Sequence, residues 1–154
     1  MTITIKMLTP EYLDDVMAIA EALPAWFDAD ARKRAMLVDI RYQDGFVADI
    51  GGEIVGFISF YISEGRVNIG WLGVRPAYHR QGIGAELVKA TGSYCQLKGI
   101  QELSVMTLGE SVDYEPYETT RAFYHKMGFR VYLRAQTDNP GCPEEIRLKK
   151  IIET

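Results

Sequence analysis

Cysteine and histidine are scarce in this 154-residue chain, with two of each. Cys95 and Cys142 have no metal-ligand spacing and no His-x-x-x-His pair exists, so no metal site is expected. Two thiols in a chain of this size suit a reducing cytoplasm better than a disulfide scaffold. Basic residues are not in excess either. The 17 Lys and Arg stand against 21 Asp and Glu for a net charge of −4, which argues against a nucleic-acid-binding surface. No apolar run approaches membrane-spanning length, and Met1–Lys6 lacks the apolar segment of a signal peptide. Repeats, low-complexity tracts and linkers are missing too. What is present, 47% hydrophobic and 25% charged residues, describes a globular chain able to bury a core. A single cytoplasmic domain over residues 1–154 is expected, with neither nucleic acid nor membrane as partner.

Periodicity supplies the elements. Residues 2–7 alternate as a strand, and Thr9-Pro10 reads as an N-cap followed by proline at the first helical position. Leu13, Val16, Met17 and Ala20 continue that helix, which breaks at Leu23-Pro24-Ala25-Trp26-Phe27. Asp28 caps a second helix running through Arg41, with Arg32-Lys33-Arg34 as an exposed face. Two β-rich runs, 45–49 and 53–63, are joined by Gly51-Gly52, a hairpin signal. A turn at 63–66 leads to a strand over 67–74. After Gly82 a helix reaches about Lys98, with Ile83, Leu87, Val88, Thr91 and Tyr94 on its inner side. A strand at 102–108, a helix at 117–127 ended by Gly128, and strands at 129–134 and 145–151 complete the order β-α-α-β-β-β-α-β-α-β-β. The expected fold class is α/β (α+β mixed), a mixed sheet covered by helices.

The segment from Trp71 to Leu87 carries the most chemistry. A strand runs into a loop with His79, Arg80 and Gln81, then Gly82-Ile83-Gly84-Ala85 opens a helix. Unpaired N–H groups at a helix start, with glycines permitting close approach, bind anions and phosphates in particular. Two familiar phosphate motifs do not fit. The dinucleotide fingerprint needs glycine where Leu87 stands, and the P-loop needs Lys-Ser/Thr where Ala85-Glu86 follow. Alone, Gly-x-Gly at a helix start is explained equally by a tight turn.

Flanking residues extend the pattern. Gly82-Ile83-Gly84 fills the glycine half of Gln/Arg-x-x-Gly-x-Gly/Ala, with His79 at the first position and Arg80 and Gln81 beside it. Phe123-Tyr124-His125-Lys126-Met127-Gly128-Phe129 is similar to a closing aromatic-Tyr-x-x-x-Gly-Phe segment. Tyr117 stands seven residues before that tyrosine, where Asn is common. In these two motifs, and in the element order over nearly all the chain, the sequence resembles the GNAT superfamily of N-acetyltransferases. The resemblance implies a mostly antiparallel central sheet with splayed middle strands, helices on both faces, and direct transfer from acetyl-CoA to an amine in a ternary complex.

Site expectations follow from the resemblance. Backbone groups of Leu72 and Val74 would pair with the pantetheine amides. The donors of His79, Arg80, Gln81, Gly82, Ile83, Gly84 and Ala85 would face the diphosphate, with cofactor or acceptor contacts from Tyr117 and Arg121. Tyr124 is the expected proton donor to the departing thiolate, provided Phe123 faces the core and Tyr124 the cleft. Glu118 or Glu115, from the acidic run 110–118, is the candidate general base. Each role has a plain alternative: a solvated loop for His79, Arg80 and the acidic run, a core tyrosine with a satisfied hydroxyl, a bulge at Gly70 or Gly73 serving only sheet twist. Trp26 either lines an acceptor pocket or is a core aromatic. Neither cysteine occupies a nucleophile setting. The acceptor, a small-molecule or peptide amine, is not written in the sequence, nor is a homodimer. The competing reading is a non-catalytic acyl-CoA-binding regulatory module.

Overall fold

The computed structural model describes residues 2–153. Seven strands form one sheet in the order β1-β2-β3-β4-β5-β7-β6. They are β1 Thr4–Met7, β2 Asp44–Ile50, β3 Glu53–Ser63, β4 Arg66–Val74, β5 Glu102–Leu108, β6 Arg130–Gln136 and β7 Glu144–Ile151. Every neighbouring pair is antiparallel except β4 with β5. That one parallel junction follows from the crossover between them through the helix α4 (Ile83–Lys98).

Helices cover both faces, as expected. On one side α4 and α5 (Glu115–Lys126) close over Phe60, Val67, Ile69, Leu103, Phe129 and Leu148, the larger core. In α4 the buried Ile83, Leu87, Val88, Thr91 and Cys95 recur at helical spacing, and Thr91 returns its hydroxyl proton to the Leu87 carbonyl at 3.0 Å. On the other side α1 (Leu13–Glu21), α2 (Ala29–Ala31) and α3 (Leu37–Tyr42) enclose Val16, Ile19, Met36, Ile40, Val47 and Phe57. Asp28 caps α2 by accepting from Ala31 N–H at 2.7 Å.

Several boundaries differ from the periodic reading. The segment Arg32–Met36 between α2 and α3 is π-helical. The Pro10 start is a short 3-10 turn that Thr9 does not cap through its side chain, because its hydroxyl bonds Glu11 instead. The last helix begins at Glu115, with Pro116 in its first turn. It ends at Gly128 as read from sequence: φ is +96° there, and the Phe129 N–H returns to the Tyr124 carbonyl at 3.0 Å.

Candidate functional site

Strands β4 and β5 pair only at their start, through Val67↔Leu103, Asn68↔Ser104 and Ile69↔Val105. A Ser104 hydroxyl bond to Asn68 Oδ1 at 2.6 Å ties this closed part together. Beyond Ile69 the register with β3 slips: Ile69 faces Phe60 and Trp71 faces Ser59, leaving Gly70 as a bulge. Bulges bend and twist a strand, and this one lies where β4 parts from β5. Each arm of the resulting fork keeps its outer neighbour. β4 stays on β3 as far as Val74↔Gly56, and β5 stays on β7 as far as Leu108↔Glu145.

The open edge of β4 belongs to Leu72 and Val74. Arg75 N–H donates to Val55 on β3 at 2.8 Å, so by alternation along an antiparallel ladder Leu72 and Val74 direct their backbone groups into the fork. The Val74 carbonyl confirms this, for it accepts from His79 Nε2–H at 2.7 Å. His79, expected to face a phosphate, is thus turned back over β4, with its ring edge-on to Trp26 at 6.3 Å. Across the fork, Thr107 Oγ1 on β5 is buried without a protein partner among the described residues.

At the top of the β4 arm α4 begins. Arg80 and Gly82 have φ of +62° and +82°, and a Cβ at Gly82 would meet nothing within 4 Å. No side chain caps the first turn, so the N–H groups of Ile83, Gly84 and Ala85 remain available. Arg80, Gln81 and Gly82 are exposed, Gly84 and Ala85 partly so, while the Ile83 side chain is core. Gln81 spends its amide on the Ala77 carbonyl at 3.3 Å. The Phe123 ring packs on Gly84, 3.4 Å from where a Cβ would sit.

Helix α5 presents Tyr117, Arg121 and Tyr124 along one inner stripe. The expectation that Phe123 faces the core and Tyr124 the cleft is corrected. Tyr124 is 4% exposed, packed edge-on between Phe123 and Phe129, whereas Phe123 is only half-buried. The Tyr124 hydroxyl makes no hydrogen bond to protein among the described residues, nor is it among their sealed, unpartnered atoms. Its ring is core, and burial pushes its pKa well above the usual phenol value.

Arg121 is buried and donates to the Leu108 carbonyl at 2.8 Å, holding the tip of the β5 arm. Tyr117 is half-buried, its hydroxyl 3.5 Å from the Trp26 carbonyl. Glu118 is a second correction. It is exposed together with Glu115, Ala122 and His125, about 120° around the helix from Tyr124, and so faces solvent rather than the fork.

Trp26 is half-buried and ties two elements together. Its indole N–H is shared between the Pro116 carbonyl and Thr120 Oγ1, both at 3.1 Å, while Tyr114 donates to the Ala25 carbonyl at 2.6 Å. The loop after α1 is thereby fastened to the start of α5 across the fork. Sequence reasoning missed a polar group on the α3 side. Asp39 accepts from Trp71 Nε1–H at 3.2 Å, Ser59 Oγ receives Trp71 N–H at 3.1 Å, and that hydroxyl donates to Gln43 Oε1 at 2.7 Å. The one available signal was Gly70, since a side chain there would collide with the Gln43 amide.

A family model described as an acetyltransferase (GNAT) domain matches residues 41–131, more than half of the chain. The chain belongs to the GNAT family of acetyltransferases. Solved structures agree in fold. A GNAT-family protein from Desulfovibrio desulfuricans superposes with a TM-score of 0.84 at 19% identity, covering 99% of this chain and 100% of its own. The ribosomal-protein-S18-alanine N-acetyltransferase of Escherichia coli gives 0.79 at 16% identity, covering 99% and 96%. The PaiA N-acetyltransferase of Thermoplasma acidophilum, in complex with coenzyme A, gives 0.73 at 21% identity, covering 98% and 99%. Curated protein sequences yield no match. Among the described residues, no helix is long and apolar enough to cross a membrane, and no group of three His, Cys, Asp or Glu is placed to hold a metal ion.

Proposed function

We propose that this GNAT domain moves an acetyl group from acetyl-CoA directly to a primary amine of a small molecule or peptide, in a ternary complex. The observation that carries the reading is a pair of backbone surfaces with free N–H groups: the inner edge of β4 at Leu72 and Val74, which lacks a strand partner and where only the Val74 carbonyl is taken, by His79, and the first turn of α4. A diphosphate fits the second, held by the N–H groups of Ile83, Gly84 and Ala85, the positive end of the helix and the neighbouring Arg80. Amides of a pantetheine arm fit the first, as an added strand would.

In this reading Tyr124 is the proton donor. A phenol is protonated at neutral pH, so it can donate to a thiolate whose charge develops as the C–S bond breaks. The amine nitrogen bonds to the acetyl carbon, the thiolate leaves with the Tyr124 proton, and the proton lost by the amine passes to water and restores the phenol. Direct transfer suits the thiols. Cys95 is buried in α4 with its pKa pushed up to about 11, and burial also raises that of Cys142, so neither is an activated nucleophile. Calorimetry with coenzyme A tests the binding half of the proposal. Saturable one-to-one uptake supports it, and an absence of heat from folded protein across several temperatures removes it. Mixing with acetyl-CoA alone tests the direct route: an acetylated cysteine in the mass spectrum would replace it with a two-step mechanism.

A further inference from the structure

The fork has two faces of different character. On the α4 side lies the helix start assigned above to the diphosphate, and on the other face α3 packs against β4 through the Trp71 side chain. There stand Asp39, on α3, and Gln43, the extended residue that ends the helix and returns its N–H to the Asp39 carbonyl. They rest on the β4 residues that follow the last β4–β5 pair. Gln43 fills the space left by Gly70, and Asp39 grips the indole of Trp71.

The group is built rather than incidental. Trp71 N–H has been diverted from the β3 ladder onto the Ser59 hydroxyl, whose own proton goes to Gln43 Oε1. The indole in turn fixes one carboxylate oxygen of Asp39. Asp39 has no cationic partner among the described residues, although Lys6, Arg66, Arg134 and Lys149 each have a carboxylate. A partly buried carboxylate held in place, with one oxygen uncommitted and no counter-ion, is a receptor for a cation. The Gln43 amide N–H groups, likewise without a described acceptor, supply a neutral polar neighbour.

We propose that Asp39, positioned by Trp71, binds the ammonium form of the acceptor amine at the fork and so selects cationic acceptors. This rests on the acetyl-CoA reading above. Asp39 acts here in binding and specificity: pairing with an ammonium group orients it but does not by itself remove its proton. The carboxylate comes from a helix, which is why β4, with no acidic residue over 67–74, shows no sign of it in sequence.

Two coenzyme A thioethers test the inference without knowledge of the natural acceptor. S-(2-aminoethyl)-coenzyme A carries an ammonium a few atoms from sulfur, and S-propyl-coenzyme A is its neutral counterpart of similar length. Both are titrated at neutral pH, alongside coenzyme A itself, into the wild type, Asp39→Asn and Asp30→Asn. Asparagine keeps an oxygen for the Trp71 indole, so the fold is preserved, and the exposed Asp30 on α2 is the control. The wild type and Asp30→Asn are expected to bind the aminoethyl compound about tenfold more tightly than the propyl one. Asp39→Asn should lose that preference while binding coenzyme A unchanged. Coenzyme A binding without an ammonium preference, or a preference that survives in Asp39→Asn, overturns the inference alone. Failure of coenzyme A itself to bind would instead bring down the acetyl-CoA reading, and this inference with it.

Discussion

Two halves of one strand behave differently. From Val67 to Ile69, β4 is an interior strand with neighbours on both edges, and Val67 and Ile69 are buried. From Gly70 to Val74 it keeps β3 on one edge and lacks β5 on the other, and four of its five residues are half-buried. The chain does not change from apolar to polar between the halves, since Trp71, Leu72 and Val74 are as hydrophobic as what precedes them. What changes is the backbone. A glycine bulge bends the strand, and Arg121 anchors the tip of the other arm to α5. Binding capacity is thus created by withholding pairing from an apolar strand. An unpaired edge that binds nothing would be an aggregation hazard.

The comparison breaks most visibly in catalysis. If the open half presents the thioester to Tyr124, then Tyr124→Phe should lower kcat about 10²- to 10⁴-fold. Affinity for coenzyme A should stay within about twofold, because binding belongs to β4 and α4. Thiol release with any accepted amine, set beside calorimetry, reads both quantities, and unchanged turnover would take Tyr124 out of the mechanism.

Stability should separate the halves next. Ile69→Ala, in the closed half, is expected to cost about 2–5 kcal/mol, as buried Ile truncations do. Leu72→Ala, half-buried on the open edge, should cost about half as much. Urea midpoints at constant m-value measure the difference. Equal losses would mean that the upper part of β4 is packed as firmly as the lower.

A smaller effect is expected at the helix start. Gly82→Ala meets no neighbouring atom but must hold φ near +82°, so it should destabilise by about 1 kcal/mol. It should weaken coenzyme A binding more than that, since the new methyl stands where the diphosphate approaches. Affinity equal to wild type would place the diphosphate elsewhere.

The smallest effect concerns the loop beyond β5. Glu110 is half-exposed and bonded to Arg134, which lowers its pKa from 4.5 to about 2. A carboxylate depressed in the folded state adds stability above pH 4.5, and that contribution fades as pH falls from 4.5 toward 2. Solvent screening keeps it below about 1 kcal/mol. Glu110→Gln should therefore flatten the acid limb of stability in that window and leave neutral pH nearly unaffected, as acid titration of the melting temperature would show.

Much of this was legible in the sequence, for identifiable reasons. Element order, the helix start at Gly82 and the turn at Gly128 follow from apolar spacing and from glycine's tolerance of positive φ without strain. Gly70 signalled a bulge because strand interiors rarely accept glycine. The orientation of Tyr124 was not legible. Adjacent helix positions differ by about 100°, and two aromatics side by side give no local reason to choose which turns inward. Glu118 was misread for a related reason, because an acidic run names a loop and not the side of the helix it faces. Asp39 and His79 were hidden because their partners, Trp71 and Val74, are distant or folded back in ways that only the bulge and the fork create.

The most direct test of the central claim is amide hydrogen exchange read residue by residue by NMR, with and without coenzyme A. Coenzyme A should slow exchange at Leu72 and Val74 on the open edge and at Ile83, Gly84 and Ala85 in the first turn of α4. Ile69 and Val105, already paired, should barely change. Protection that leaves Leu72 and Val74 untouched, or that appears at another edge of the sheet, would contradict the account.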